Sequence, residues 1–159
     1  MRITRLGPEH WRQIRSVRLQ ALRESPDAFA SSVDEELARP DDWWIDGATR
    51  LAWFVAEVGD EVVGVVAGLP TPEGPEVISM WVEPGHRGTD VADRLLQAVV
   101  DWAREEGWGS LCLAVAGGND RARRFYERAG FTVVGPGEPL RSRPEVCTTE
   151  MRLVLESED

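Results

Sequence analysis

Apolar positions along the chain switch between a two-residue period and a three-to-four-residue period, and each switch marks an element. Residues 1–6, MRITRL, alternate basic and apolar side chains and read as a strand, which Gly7-Pro8 breaks. From Pro8 to about Arg23, Trp11, Ile14, Val17 or Arg18, Ala21 and Leu22 recur at helical spacing, with Arg12, Gln13 and Arg15 off the stripe. Pro8 and Glu9 suit the first turn of that helix. ESPDAFASS reads as a loop with Phe29 turned inward. Ser32 to Leu37 predicts a short helix capped by Ser31 or Ser32. Pro40-Asp41-Asp42 opens another that carries Trp43 and Trp44. Adjacent tryptophans cannot share one helix face, so one is expected in the core and the other in a cleft or at the surface.

Two apolar runs follow, LAWFVAEV (51–58) and EVVGVVAGL (61–69), joined by the hairpin-type link Gly59-Asp60. PTPEGP turns the chain into a further strand over 75–82, so strands two to four form an antiparallel meander ended by Glu83-Pro84-Gly85. Val91, Leu95, Leu96, Val99, Trp102 and Ala103 predict a helix from Asp90 to about Glu106, stopped by Gly107. SLCLAVA (110–116) is almost continuously apolar, which suggests a strand covered on both faces. Asn119 caps a helix to about Arg128, ended by Gly130. FTVVG is a strand, 136–144 a loop, and 145–155 a final, antiparallel strand; the last four residues are expected to fray. No repeat or linker interrupts this order. It predicts a single domain over 1–159 of the α/β (α+β) class, with one mixed, mostly antiparallel sheet of about seven strands and about four flanking helices.

Composition narrows the partners. With 159 residues, 42% hydrophobic and 29% charged, the chain can bury one sizeable core. The formal net charge of −10 disfavours nucleic acid and anionic membranes. It suits a cationic small-molecule or peptide partner, or simply keeps the chain soluble. No apolar run approaches a membrane span and the N-terminus lacks a signal-peptide core, so a cytoplasmic protein is expected. Cys112 and Cys147 each sit in an apolar, strand-like run, without a CxxC, and are expected to be reduced and packed. His10 and His86 lack ligand-like neighbours, and no metal site is expected.

Candidate chemistry concentrates in residues 76–131: a strand, a turn with Gly and Arg, a long helix, a second strand, and a short helix with an aromatic pair. A strand that runs through a polar turn into a helix start offers free amides and the positive end of a dipole. Residues 87–92 therefore read as a phosphate-binding turn, or as an ordinary strand–turn–helix connection.

Two segments carry a closer likeness. VEPGHRGTDVADRLL (82–96) and NDRARRFYERAGF (119–131) resemble signature blocks of the GNAT superfamily of acyl-CoA-dependent N-acyltransferases. The second matches Asn-x-x-Ala-x-x-Phe-Tyr-Glu-x-x-Gly-Phe at Asn119, Ala122, Phe125, Tyr126, Glu127, Gly130 and Phe131. The first resembles the phosphate loop (Gln/Arg)-x-x-Gly-x-(Gly/Ala), matched at Arg87 and Ala92. The resemblance implies a GNAT-like sheet splayed between strands four and five, with acetyl-CoA as cosubstrate and no metal. It implies that Arg87, Gly88, Thr89, Asp90, Val91 and Ala92 bind the pyrophosphate, Arg87 adding charge. Pantetheine would lie in the splay beside Trp81 and Val82, where a backbone N–H would polarise the thioester carbonyl and stabilise the oxyanion. Asn119, Phe125 and Tyr126 would be further contacts.

The implied reaction is direct attack of a neutral primary amine, from a small molecule or peptide, on the thioester. Tyr126 matches the position of the acid that meets the leaving thiolate, or else it only packs and orients the sulfur. Glu76 is a position where the family can carry the base, or it is a solvated strand-end residue; Glu57 is the other candidate. A homodimer is also implied by the family.

Asp90 departs from the pattern. It places an anion where another should bind, and weakened but retained CoA binding is expected; alternatively it turns to solvent or caps the helix. That residue and the undecided base keep open a catalytically weak or inactive acyl-CoA-binding or sensing domain; a third function is an interaction protein with Trp43, Trp44 or Trp108 exposed in a dimer contact. The acceptor is expected between residues 25–45 and 136–145. Asp27, Asp34, Glu35, Glu36, Asp41 and Asp42 in the first of these segments, with Asp46 just after it, suit a cationic amine, or are ordinary helix caps and solvated faces.

Overall fold

The computed structural model describes residues 1–26, 29, 31–141 and 143–155. The tail at 156–159 and Asp27 lie outside them. Seven strands build one sheet in the order β1-β2-β3-β4-β5-β7-β6. These are β1 (Arg2–Leu6), β2 (Ala52–Val58), β3 (Glu61–Leu69), β4 (Glu76–Val82), β5 (Ser110–Ala116), β6 (Thr132–Pro136) and β7 (Thr148–Val154). The helices are α1 (Trp11–Glu24), α2 (Val33–Leu37), α3 (Asp41–Arg50), α4 (Val91–Glu105) and α5 (Asp120–Arg128). All neighbours pair antiparallel except β4 and β5, which are parallel. That mixture follows from α4, which carries the chain from the end of β4 back to the start of β5.

The expected elements form, and their edges differ for local reasons. Pro8 starts a 3-10 turn, Pro8–His10, before α1 takes over at Trp11. Ser32, not Ser31, caps α2, its hydroxyl accepting from Glu35 N–H; the Ser31 hydroxyl donates to the Glu35 carboxylate instead. Gly59, at φ 61°, closes the β2–β3 hairpin, whose last pair is Val58 and Glu61. The final strand begins at Thr148, later than expected, because Leu140, Arg143 and Val146 bond one another in local turns instead of joining it.

Two cores sit on opposite faces of the sheet. Beneath α4 and α5 lie Phe54, Val63, Val66, Leu95, Leu96, Val99, Leu111, Leu113, Phe131 and Met151. Beneath α1 to α3 lie Ile14, Val17, Leu22, Phe29, Trp44, Trp53, Val55, Val65 and Trp81. Phe29 points inward, and of the tryptophan pair Trp44 is in the core while Trp43 is exposed, their rings crossing edge to face at 86°. Gly68 lets α4 approach closely: a Cβ there would stand 2.4 Å from the Trp102 ring.

The apolar run over 110–116 is covered on one face only. Leu111, Leu113 and Val115 are buried, Cys112 is half-buried and Ala114 is exposed. The cause is the limited reach of α1 to α3, which pack over β2, β3 and β4 and leave the same face of β5 bare. Cys147 is exposed and precedes β7, a correction to its expected place in a strand; its carbonyl accepts from Gly117 N–H at 2.7 Å. No helix among the described residues is long and apolar enough to cross a membrane.

Candidate functional site

β4 and β5 share a single bridge, Glu76 opposite Cys112, and then part. The register of β4 against β3 slips by one residue, from Ile78 opposite Ala67 to Trp81 opposite Val65. The extra residue is a bulge around Ser79, which sits at φ 60°, an uncommon conformation for a residue with a Cβ. Past the bulge Glu83 N–H donates to the Val63 carbonyl, so by strand alternation the backbone groups of Val82 turn away from β3, towards the splay. Of the two residues proposed from sequence for a backbone donor, Val82 has the suitable orientation. Trp81 pairs with β3 and buries its indole on the opposite side.

A groove of about 510 Å³ runs along this open edge. Met80, Trp81 and Val82 form one wall, Asn119, Ala122 and Phe125 of α5 the other, and Gly88, Thr89 and Ala92 the end at α4. Gly88 turns the chain at φ 80°, with no atom near where a Cβ would be. Arg94 N–H finds the Asp90 carbonyl at 3.0 Å, the first regular bond of the helix. Among the described residues the amides of 88–93 before it have no backbone acceptor; Val91 N–H only reaches the Thr89 hydroxyl at 3.5 Å. These amides and the start of a 15-residue helix make a cradle that suits a phosphate.

The charged groups of the groove differ in part from those expected. Arg87 lines it, but its Nε donates to the Val82 carbonyl at 2.9 Å and its Nη2 to the Glu24 carboxylate at 2.6 Å. Glu24 also accepts from Trp81 Nε1 at 2.8 Å and from the Ser25 hydroxyl. The Ser25 hydroxyl chiefly, then Trp81 and Arg87, hold the Glu24 carboxyl below its ordinary pKa against the opposing effect of burial. Arg87 is thus a structural clamp between α1, β4 and the turn. Asp90 is exposed, makes no capping bond and lies outside the groove lining. Among the described residues the acidic side chain that does line the groove is Asp93, in the first turn of α4, which sequence reading missed.

Arg121 and Arg128 also line the groove and were missed. Their signal was present: 121 and 128 share one helix face with Phe125. Asn119 lies in the lining and caps α5, its Oδ1 accepting from Ala122 N–H at 3.2 Å. Tyr126 is not among the residues that line the groove. It is buried against Phe125 and Phe131, and burial pushes its pKa up to about 12.

On the other sheet face, beside the bulge, lies a second cavity of about 250 Å³. Ile14, Trp43, Trp44, Trp53 and Ile78 wall it; Arg18, Glu36 and Ser79 form a polar patch, and Arg50 and Arg141 reach it. Arg18 Nε and Nη2 each donate to a Glu36 oxygen at 3.0 Å, and Nη1 donates to the Ser79 hydroxyl at 2.7 Å. Of the acidic residues expected near an acceptor, Glu36 lines this cavity; Asp34, Glu35, Asp41, Asp42 and Asp46 are exposed and do not.

The two candidate bases separate clearly. Glu57 is bonded to Arg2 at 3.1 Å at the outer edge of the sheet, away from both cavities. Its pKa is lowered, first by a hydrogen bond from Thr4 and then by Arg2. Glu76 begins β4 two residues before Ile78, and loss of hydration, then Glu150 and Glu73, raise its pKa. It lines neither cavity. Among the described residues no three metal-ligand side chains cluster.

A mixed sheet splayed between β4 and β5, beside a glycine turn and a helix start, defines a GNAT-like fold. The ribosomal-protein-alanine N-acetyltransferase of Brucella melitensis superposes over 98% of this chain and 100% of its own, with a TM-score of 0.77 at 20% identity. A Salmonella typhimurium structure with its cofactor acetyl-CoA superposes over 100% of this chain and 96% of its own, with a TM-score of 0.75 at 21% identity. In sequence, the mycothiol acetyltransferase of Beutenbergia cavernae is 30% identical over 117 residues, 72% of this chain. This chain spans 39% of that relative's length. The sequence model of the acetyltransferase (GNAT) family matches residues 18–131, and the chain belongs to that family.

Proposed function

We propose that this chain is an acetyl-CoA-dependent N-acetyltransferase acting on a primary amine of a small molecule or peptide. One observation carries the reading: the free amides of the α4 turn and the open edge of β4 line one continuous groove. Acetyl-CoA, when bound, supplies an acetyl thioester, so that a C–N bond forms to the amine, the C–S bond breaks, and the electron pair leaves on sulfur.

The residues divide the work. The amides of 88–93 donate to the pyrophosphate oxygens, with Arg121 and Arg128 adding positive charge. The N–H of Val82, turned into the splay, donates to the acyl oxygen. Asn119 fixes the start of α5 and with it Phe125, which walls the thiol end. Full proton transfer from a phenol at about 12 to a thiolate of ordinary basicity, about 8.5, is uphill by roughly 5 kcal/mol. Tyr126 accordingly serves as a hydrogen-bond donor to the departing sulfur after a small movement of its ring. Both Glu36 oxygens are engaged by Arg18. Glu76, on the face of the second cavity and with a raised pKa, takes the ammonium proton through water.

The withdrawal of Tyr126 from the groove lining favours a second reading, an acyl-CoA-binding domain without turnover. Calorimetric titration with acetyl-CoA, followed by thiol release in the presence of amines, tests both. Binding with amine-dependent release supports the enzyme; binding without release supports the second reading; no binding overturns both.

A further inference from the structure

The bulge in β4 is built on a residue that does not suit its backbone. Among the described residues Ser79 is the one non-glycine residue at a positive φ; the other positive-φ positions are glycines. In that conformation a Cβ crowds the neighbouring carbonyl, which glycine avoids. Serine brings a hydroxyl instead, and it accepts from Arg18 Nη1 at 2.7 Å. Arg18 is fixed in turn, because its Nε and Nη2 each donate to an oxygen of the buried Glu36 carboxylate. The three residues belong to α1, α2 and β4. A guanidinium gripped on one edge by a buried carboxylate cannot follow a sliding strand, so the hydroxyl ties β4 to the helical layer. Strained residues persist where their surroundings over-determine them.

The same bulge decides which amide faces the splay. Ile78 stands opposite Ala67 and Trp81 opposite Val65, so Ser79 and Met80 together oppose the single residue Val66. Without the extra residue the register beyond it would slip by one, and every group there would exchange sides. The Val82 N–H would then turn to β3, and the Trp81 indole would leave its bond to Glu24. We propose that Arg18 and Ser79 are positioning residues for acetyl transfer: the guanidinium anchored on Glu36 pins the bulge and thereby aims the Val82 N–H at the acyl oxygen. This role rests on the acetyl-transfer reading of the groove. Neither side chain lines that groove, so both act through the backbone of β4.

The test compares acetyl-CoA with CoA, which differ only by the acyl group that the amide would meet. Calorimetry gives both affinities, and thiol release with a panel of amines gives kcat and KM. Two variants cut the link at different places. Ser79→Gly keeps the backbone conformation and removes the hydroxyl. Arg18→Met combined with Glu36→Leu removes the ion pair whole, leaves no buried charge unpaired and frees the hydroxyl. In both, the preference for acetyl-CoA over CoA should shrink at least about threefold, the worth of one hydrogen bond, while CoA binding stays unchanged. The kcat should fall at least about tenfold, with the KM for acetyl-CoA changing less. An unchanged preference in Ser79→Gly overturns the inference, and so does an equal loss of CoA binding. A loss in Ser79→Gly that the folded double variant lacks overturns it too, and assigns the hydroxyl to direct contact with the acceptor. If thermal melts show the double variant unfolded, Ser79→Gly decides alone. A parent that binds neither CoA nor acetyl-CoA overturns the acetyl-transfer reading. A parent that binds both equally leaves that reading standing and overturns the aimed amide.

Discussion

Arg18 and Glu36 face each other end to end under α2, joined by two parallel contacts of 3.0 Å, with 13% and 3% of their side chains exposed. The same guanidinium holds the hydroxyl of Ser79 at the bulge and stacks over the Phe29 ring at 4.8 Å. Removing one partner leaves the other buried and unpaired, which costs about 3–5 kcal/mol. Arg18→Met is expected to lower stability by that amount in urea denaturation. Arg18→Lys should rescue only part of it, because an ammonium cannot reproduce the fork. A loss below about 1 kcal/mol in Arg18→Met would mean that water replaces the pair.

Asp93 lines the groove and Asp90 does not. Asp93→Asn should tighten acetyl-CoA binding by up to about fivefold, the effect of removing one solvent-screened repulsion of about 1 kcal/mol. Asp90→Gly should change it by less than about twofold, since its side chain is exposed and makes no cap. Calorimetry at low salt distinguishes these. The reverse order of effects would place Asp90 against the ligand.

Tyr126→Phe keeps the ring packing with Phe125 and Phe131 and removes only the hydroxyl. Thermal stability and the KM for acetyl-CoA should stay close to those of the parent. The kcat should fall by about ten- to a hundredfold, less than the loss of a full proton-transfer acid. An unchanged kcat would assign Tyr126 to packing alone.

Glu76 gives a pH signature with a definite sign. Its folded pKa is raised above the ordinary 4.5, so ionisation is disfavoured in the folded state. Its contribution to stability is present below pH 4.5 and is lost as the pH rises through the raised value. Glu76→Gln should therefore raise the melting temperature at pH 7 slightly, by less than about 1 kcal/mol because the group is partly solvated, and have no effect at pH 3. The same substitution should flatten the acid limb of kcat/KM if Glu76 takes the proton. An acid limb that persists assigns the proton to another group.

Gly68→Ala would place a methyl group 2.4 Å from the Trp102 ring. Overpacking of this kind costs about 1–3 kcal/mol, read as a lower denaturation midpoint. No loss would show that α4 can shift away from β3.

Sequence reading reached the fold because periodicity and turn chemistry agree along most of the chain. The Gly59 hairpin, the Asn119 cap and the α4 stripe are each local signals, and each formed where expected. What it missed depends on contacts distant in sequence. Arg18 was ambiguous on its helix because Glu36 and Ser79, which give an inward guanidinium its hydrogen-bond partners, lie 18 and 61 residues away. Arg87 lines the groove as expected, but its bond to Glu24, 63 residues earlier, is invisible from the turn. Asp93 escaped notice because it stands outside the loop motif. The acidity of residues 34–46 could not be apportioned for the opposite reason: only Glu36 of these lines the second cavity, and charge along the chain says nothing about which side chains turn inward.

The lone bridge between Glu76 and Cys112 has a mechanical meaning. It divides the sheet into two plates, β1 to β4 and β5 to β6, held together along their shared border mainly by α4 and the packing beneath it. Whatever fills the splay supplies the missing rung of the ladder. Amide exchange in β4 and β5 should then slow together on filling, while β1 and β6 at the outer rims keep their own rates. The donor site would double as a seam, and the chain would be at its stiffest only while it is loaded.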